Sequence, residues 1–240
     1  MTLYKGDCLE VMKLIPDWSI DAIITDPPYG TTACKWDSVI DFELMWEQLN
    51  RIIKPNGAIV LFGSEPFSSY LRTSNIKDYK YDWVWEKNRP TGLFLAKKQP
   101  MRYVELVHVF YKKQCTYNPQ KWVGKKSNSR GKGLAQSTHY GKSSFVNTEG
   151  NLKYPKNILK FNRPHPPIHP TQKPVALMEY LIKTYTNENE TVLDFTMGSG
   201  STGVAAKNLN RNFIGIEQDE NYFKIAEGRI NKQDKQLKIL

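Results

Sequence analysis

The chain has 240 residues, enough for one domain with a sizeable core, or for one domain carrying an insertion. Apolar residues make up 40% and charged residues 24%, a globular rather than a disordered balance, and no apolar run is long enough to span a bilayer. The N-terminal MTLYKGDCLEVM has acids and no apolar core, so no signal peptide is expected. Three scattered cysteines, Cys8, Cys34 and Cys115, suit neither a disulfide framework nor a zinc cluster, and a reducing cytoplasm is the expected setting.

The net charge of +10 is localised. Eleven of the 34 Lys and Arg lie in residues 113–165, against one of the 24 acids, Glu149, so the remaining 23 bases and 23 acids cancel. One segment thus carries the whole excess, which implies a polyanionic partner, most simply nucleic acid.

Three regions follow one another: 1–112, 113–165 and 166–240. In the first, Ile20–Thr25 is an apolar run that reads as a buried strand, stopped by the turn Asp26-Pro27-Pro28-Tyr29-Gly30. Phe42, Met45, Trp46, Leu49, Ile52 and Ile53 recur at helical spacing over 41–53. Lys54-Pro55-Asn56-Gly57 is expected to end that helix and turn the chain into a second buried strand, Ala58–Phe62. Tyr81–Glu86 and Tyr103–Tyr111 are aromatic and β-branched, and predict further strands. Residues 113–165 have little periodicity and many Gly, Ser, Asn and aromatics, the mark of a loop-rich surface insertion. In the third region Val175–Tyr185, Ser201–Asn208 and Asn221–Lys232 predict helices, and Thr191–Asp194 and Phe213–Glu217 predict strands. Such alternation implies an α/β fold with a mostly parallel, doubly wound sheet.

Gly198-Ser199-Gly200-Ser201-Thr202-Gly203 matches G-x-G-x-x-G between a predicted strand and a predicted helix. Glycines there let the backbone turn sharply and approach a ligand at a helix N-terminus. Glu217 ends the next strand, where a carboxylate can accept hydrogen bonds from two ribose hydroxyls. The pattern alone does not separate a dinucleotide from S-adenosylmethionine, since both carry adenosine. Only 23 residues follow Glu217, however, so the other strands must come from the N-terminal region and the order looks circularly permuted.

Asp26-Pro27-Pro28-Tyr29 follows a strand, where α/β folds place their sites. The prolines stiffen the turn and hold one carboxylate, the neighbouring carbonyls and one ring in fixed relation. That set suits the exocyclic amino group of a base: the Asp26 carboxylate and the Pro27 carbonyl accept its two N–H bonds, and Tyr29 stacks on the ring. Stacking worth roughly 1–3 kcal/mol would offset part of the cost of flipping the base out of a duplex.

Asp26-Pro-Pro-Tyr29 early, His169-Pro-Thr-Gln-Lys-Pro174 later, and Asp194 with Gly198-Ser-Gly200-Ser-Thr last make the chain resemble the β-class amino-methyltransferases of DNA. The resemblance extends over most of residues 1–230 and is weakest across 113–165. It implies a Rossmann-like S-adenosylmethionine-dependent methyltransferase fold in a single domain, with the catalytic half first, a target-recognition insertion in the middle and the cofactor-binding half last. It implies methyl transfer from S-adenosylmethionine to adenine N6 or cytosine N4 in double-stranded DNA, by base flipping. By position, Asp26, Pro27, Pro28 and Tyr29 resemble the catalytic set. Asp7 and Cys8 match the adenine-contacting segment, Thr171 and Lys173 the methionine end, Asp194 and Gly198 to Thr202 the cofactor loop, and Glu217 the ribose acid. The family usually has Asp-Pro-Phe before the glycines; this chain has Asp194-Phe195-Thr196, so Phe195 is assigned no contact.

Within the basic insertion Lys121, Lys125, Lys126, Arg130, Lys132 and Lys142 are the expected DNA contacts, interleaved with Trp122, Tyr140, Phe145, Tyr154 and Phe161. No metal is expected: His165 and His169 lie among prolines rather than on a helix face. No Pro-Cys pair exists, which argues against methylation at cytosine C5. The carboxylate at Asp26, where N4-cytosine members often carry Ser, favours adenine N6. Cytosine N4, or RNA in place of DNA, is the alternative within the fold. A non-catalytic DNA-binding protein would not need Asp26, and a dehydrogenase would leave both the turn and the insertion unexplained. No membrane partner is expected; the resemblance leaves room for a homodimer and for a separate cognate restriction endonuclease.

Overall fold

The two apolar runs on either side of the predicted helix 41–53 lie side by side in the middle of one sheet. The structure, a computed structural model, describes residues 1–31, 37–125, 135–137, 141–143 and 151–236. Its first half contains β1 (Thr2–Lys5), α1 (Cys8–Met12), β2 (Ile20–Thr25), α2 (Phe42–Ile52), β3 (Ile53–Gly63) and α3 (Phe67–Ser74). Then come β4 (Tyr79–Thr91) and β5 (Arg102–Phe110), joined through a 3₁₀ turn at Leu93–Leu95, and the short strands β6 (Trp122–Val123), β7 (Ala135–Ser137), β8 (Gly141–Ser143) and β9 (Leu152–Lys153). The last part runs β10 (Ile158–Lys160), α4 (Val175–Tyr185), β11 (Thr191–Asp194), α5 (Ser201–Asn208), β12 (Asn212–Glu217) and α6 (Glu220–Gln236).

The main sheet has the order β1-β12-β11-β2-β3-β5-β4-β10. Every neighbouring pair is parallel except those made by β5, which runs antiparallel to both β3 and β4. The mostly parallel α/β sheet expected from the alternation is therefore present. The two halves meet where β11, late in the chain, pairs with the early strand β2.

Alternation along the strands puts two apolar layers on opposite faces. Ala22, Ile24, Val60, Phe62, Val107 and Val109 pack against α4, α5 and α6 through Leu177, Leu181, Ala205 and Ile230. Ile23, Ile59, Leu61, Leu193 and Ile216 pack the other way, against α1, α2 and α3 through Met12, Met45, Leu49 and Leu71. Among the described residues no helix is long and apolar enough to cross a membrane.

Two local expectations are corrected. Lys54–Gly57 does not turn the chain between helix and strand: β3 begins at Ile53, and the pairing jumps from Ile20↔Ile53 to Ala22↔Ala58. Pro55, which has no N–H to give to the ladder, lies with its neighbours in a bulge. The basic segment 113–165 is also not one piece. Cys115 is buried in the core, the Asn118 amide donates to the Thr184 carbonyl at 2.7 Å, and β10 joins the sheet edge beside β4. The compact units are Met1–Asn118 with Asn157–Leu240, and Pro119–Lys156.

In the smaller unit β6 pairs antiparallel with β9, β7 with β8, and the Lys121 ammonium lies 5.0 Å over the Tyr154 ring. This unit holds eight of the chain's bases and one acid. Lys121 and Lys125 are described, Lys142 lies in β8, and Lys126, Arg130 and Lys132 lie outside the described residues.

Candidate active site

From β2 the chain proceeds to β3 on one side, and from β11 to β12 on the other. The crevice beyond the carboxyl ends of β2 and β11 is thus the topological switch point, where open α/β sheets bind ligands. Both predicted motifs leave from these two strand ends.

Buried hydroxyls tie the ends together. The Thr25 hydroxyl donates to Asp194 Oδ1 at 2.5 Å, and the Thr202 hydroxyl donates to Asp194 Oδ2 at 2.5 Å. The Thr196 amide also reaches Asp194, at 3.2 Å, and the Thr196 hydroxyl donates to the Asp26 carbonyl at 3.1 Å. Asp194, expected as part of the cofactor loop, therefore supports that loop from beneath, by joining it to the end of β2 ahead of the Asp26–Tyr29 turn. Burial pushes its carboxyl up to about 6.

In the glycine loop, Gly198 and Gly200 take φ of +50° and +77°, values that disfavour side chains, and a Cβ on Gly200 would lie 2.9 Å from that of Ala226. α5 starts directly after Gly200 with no side-chain cap, so its first amides remain available. Arg229 of α6 donates to the Ser199 carbonyl and, at 3.0 Å, to its hydroxyl. Glu217 ends β12 and receives the amides of Gly198 and Asp219, both at 2.8 Å, one on each oxygen. The Gln218 amide also supports this carboxylate. β1 pairs with β12 so that Lys5 lies opposite Glu217, and this brings Asp7 and Cys8 to the same cleft. Asp7 Oδ1 caps α1 by accepting the Leu9 and Glu10 amides at 2.9 and 3.2 Å. Burial and the neighbouring Asp7 raise the Cys8 thiol to about 12, which rules it out as a nucleophile near neutral pH.

The Asp26–Tyr29 turn is held from three sides. The Tyr29 hydroxyl donates to Asp26 Oδ1 at 2.5 Å, and the Lys173 ammonium donates to Oδ2 at 2.5 Å. The amides of Tyr29 and Gly30 donate to Asp37 Oδ1 at 2.7 and 2.9 Å, and that of Thr31 to Oδ2 at 2.9 Å. Tyr29 stacks on Phe67 with centroids 5.0 Å apart. Lys173, expected at the methionine end of the cofactor, lines the cleft but commits its charge to Asp26 and, at 3.2 Å, to Glu105. Glu105 is paired in turn with the buried Lys87 at 3.1 Å. Phe62 and Trp85 close over the Lys173 ammonium at 5.1 and 6.0 Å. Two acids and two bases thus form a neutral, buried chain leading to Asp26.

Burial raises the Asp26 carboxyl above the usual range, with help from the like charge of Glu105; Lys173 and Tyr29 pull the other way without cancelling it. Burial would raise Glu105 too, but Lys173 and Lys87 outweigh it and hold Glu105 low. Burial, then Asp26, drives the Tyr29 hydroxyl well up, so it stays a donor. Burial and Lys173 lower His169 to about 4, leaving a neutral ring packed edge-on to Tyr222 at 4.1 Å.

Asp26, Pro27, Pro28, Tyr29, Thr171, Lys173, the glycine loop and Glu217 line one cleft of about 840 Å³. That volume is near the upper end of small-molecule sites, room for more than one ligand. Among its described lining residues are eight carboxylates, including Asp7, Asp37, Asp219 and Glu220, against the single, already paired ammonium of Lys173. Such a field repels a dinucleotide's pyrophosphate and attracts a cationic sulfonium that also carries an ammonium. The acidic lining favours S-adenosylmethionine over a dinucleotide. Among the described residues no group of three His, Cys, Asp or Glu is placed to hold a metal.

Sequence reasoning missed Glu105, Lys87, Asp37, Thr25 and Arg229. Glu105 did leave a signal, as a lone acid inside the apolar strand Arg102–Phe110. Asp37 left none, since its role depends on the chain folding back onto the turn.

A sheet of this order, with an acidic cleft between a glycine loop and an Asp-Pro-Pro-Tyr turn, defines an S-adenosylmethionine-dependent methyltransferase. The DNA methylase family of N6 and N4 methyltransferases matches residues 20–228. The Type II methyltransferase M.HinfI of Haemophilus influenzae is 28% identical over 96% of this chain and 68% of its own length. M.HpaI of Haemophilus parainfluenzae is 29% identical over 96% and 74%. The crystal structure of the M1.HpyAVI–SAM complex matches with a TM-score of 0.65 and 31% identity, over 96% of this chain and 98% of that one. The cytosine-N4-specific PvuII DNA methyltransferase shares the fold, with a TM-score of 0.67 at 18% identity over 95% and 85%. The chain belongs to the N6/N4 DNA methylase family and is a β-class DNA amino-methyltransferase with S-adenosylmethionine as its cofactor.

Proposed function

We propose that this enzyme methylates the exocyclic N6 of adenine at a specific site in double-stranded DNA, and that residues 119–156 recognise the target. The observation that carries the reading is the residue at the head of the catalytic turn, Asp26. It is a carboxylate anchored by Tyr29 and Lys173 at 2.5 Å each, where N4-cytosine members of the family often carry serine. A carboxylate is the stronger acceptor for an amino N–H, its charge-assisted bond being roughly twice as strong as a neutral one. It also opposes the positive charge that grows on nitrogen during transfer.

The residues present fit S-adenosylmethionine. Glu217 ends β12 as a carboxylate lining the cleft and suits the ribose, the glycine loop offers close backbone approach, and the acidic lining suits the cationic end. When bound, the cofactor supplies a methyl group on a sulfonium, a leaving group that is already activated. The chain's residues hold the acceptor. Asp26 and the Pro27 carbonyl accept the two amino N–H bonds, Tyr29 stacks on the base, and Asp37 keeps the turn rigid. Lys173 keeps Asp26 ionised, so most of the acceleration is positioning.

Nucleoside mass spectrometry on DNA methylated in vitro tests the reading. N6-methyladenine is expected; N4-methylcytosine without it would overturn the assignment of the base and leave fold and cofactor standing.

A further inference from the structure

The loop 92–101 that joins β4 to β5 has no role in the site described so far. Its base adjoins the catalytic centre: Lys173 bridges Asp26 and Glu105, Glu105 pairs with Lys87 at 3.1 Å, and the Lys87 ammonium lies 3.5 Å from the Thr91 hydroxyl. Thr91 pairs with Arg102, the last pair before the loop 92–101. The loop opens at Gly92, with φ +89° and no atom within 4 Å of an added Cβ. It then presents Leu93 at 73% exposure and Phe94 at 103%, as much as an isolated side chain. Two adjacent large apolar residues projecting into water from a hairpin whose base adjoins the Asp26 carboxylate mark a contact surface. The charge around them has one sign. Residues 88–104 contain Arg89, Lys97, Lys98 and Arg102 and no acid.

We propose that Phe94, with Leu93, is a wedge that enters the DNA base stack next to the target, while Lys97 and Lys98 hold the flanking phosphates. A flipped base leaves a gap in the stack, and an aromatic ring filling it lowers the cost of extrusion. The basic surround favours DNA over a second copy of this chain, because a two-fold contact would set these bases against their own images. The inference rests on the DNA-methyltransferase reading and adds to it the element that stabilises the extruded state.

The test is single-turnover methyl transfer to two duplexes carrying the target sequence, which is first read by modified-base sequencing of DNA from an expressing host. One duplex has the target base paired, the other mispaired. Phe94→Ala is expected to slow transfer to the paired duplex roughly 10- to 100-fold, with little effect on the mispaired one and unchanged S-adenosylmethionine binding. Phe94→Trp should retain activity. Lys97→Ala with Lys98→Ala should flatten the dependence of log K on log salt by about two units. Equal rates in parent and Phe94→Ala, equal slowing on both duplexes, or a dimer that dissociates on Phe94→Ala would overturn the wedge while leaving the methyltransferase reading intact. No transfer by the parent to any DNA would overturn both.

Discussion

Replacing Lys173 with methionine probes the buried charge chain directly. Methionine keeps much of the apolar stem against Phe62 and Trp85 and removes only the ammonium, which lies 2.5 Å from Asp26 and 3.2 Å from Glu105. Removing one partner of a buried ion pair costs about 3–5 kcal/mol, because the remaining charge is left without compensation. Here two carboxylates lose the same partner and only Glu105 keeps another, Lys87, so the upper part of that range applies, a large fraction of a typical stability of about 5–15 kcal/mol. The loss is pH-dependent, with a definite sign. Asp26 already has a folded-state pKa above that of the unfolded chain, so its contribution is full below the unfolded value of about 3.9 and is lost as pH rises through the folded one. Without Lys173 the folded value moves further up, and the window of loss extends upward with it. Urea unfolding of parent and Lys173→Met should therefore differ little at the acid end and increasingly toward pH 7.5. The acid limb of kcat should move to higher pH in parallel. A deficit constant across pH, with an unmoved acid limb, would refute the claim that Lys173 acts by keeping Asp26 ionised.

Asp37→Ala removes the acceptor of three turn amides and should lower kcat about 10-fold or more, with S-adenosylmethionine affinity retained in titration calorimetry. Glu217→Ala should weaken that affinity roughly 10- to 100-fold, since two ribose hydroxyls lose a charged acceptor. If about six of the bases in and around residues 119–156 meet phosphates, log K for DNA should fall with log salt at a slope of roughly −5, as a filter-binding series would show. Neutralising three of the contacting bases should flatten it by about two to three units.

How far these features were legible in the sequence follows from how local they are. The glycine loop and the Asp-Pro-Pro-Tyr turn are short and sit at strand ends, so spacing and hydropathy placed Gly198, Gly200, Glu217 and Asp26 where the structure has them. The basic excess was visible because charge is counted without a fold. β1, with four residues and no fully buried position, had no periodicity to detect, and β10 was hidden inside a basic, irregular segment although it joins the sheet edge. Asp194 was matched to the cofactor loop, but its hydrogen bonds to two threonines were not legible, because Thr25 is 169 positions away in sequence. The link from Lys87 through Glu105 to Lys173 joins β4, β5 and the segment before α4, and only the pairing of those strands creates it.

The most direct test of the account follows a labelled methyl group from S-adenosylmethionine into double-stranded DNA, with parent enzyme and Asp26→Ala side by side. The parent should label DNA. Asp26→Ala should bind S-adenosylmethionine and DNA about as well and transfer at least ~100-fold more slowly, because the cleft remains but the amino acceptor is no longer held. Transfer by Asp26→Ala at the parent's rate would contradict the central claim that this carboxylate presents the base to the methyl group.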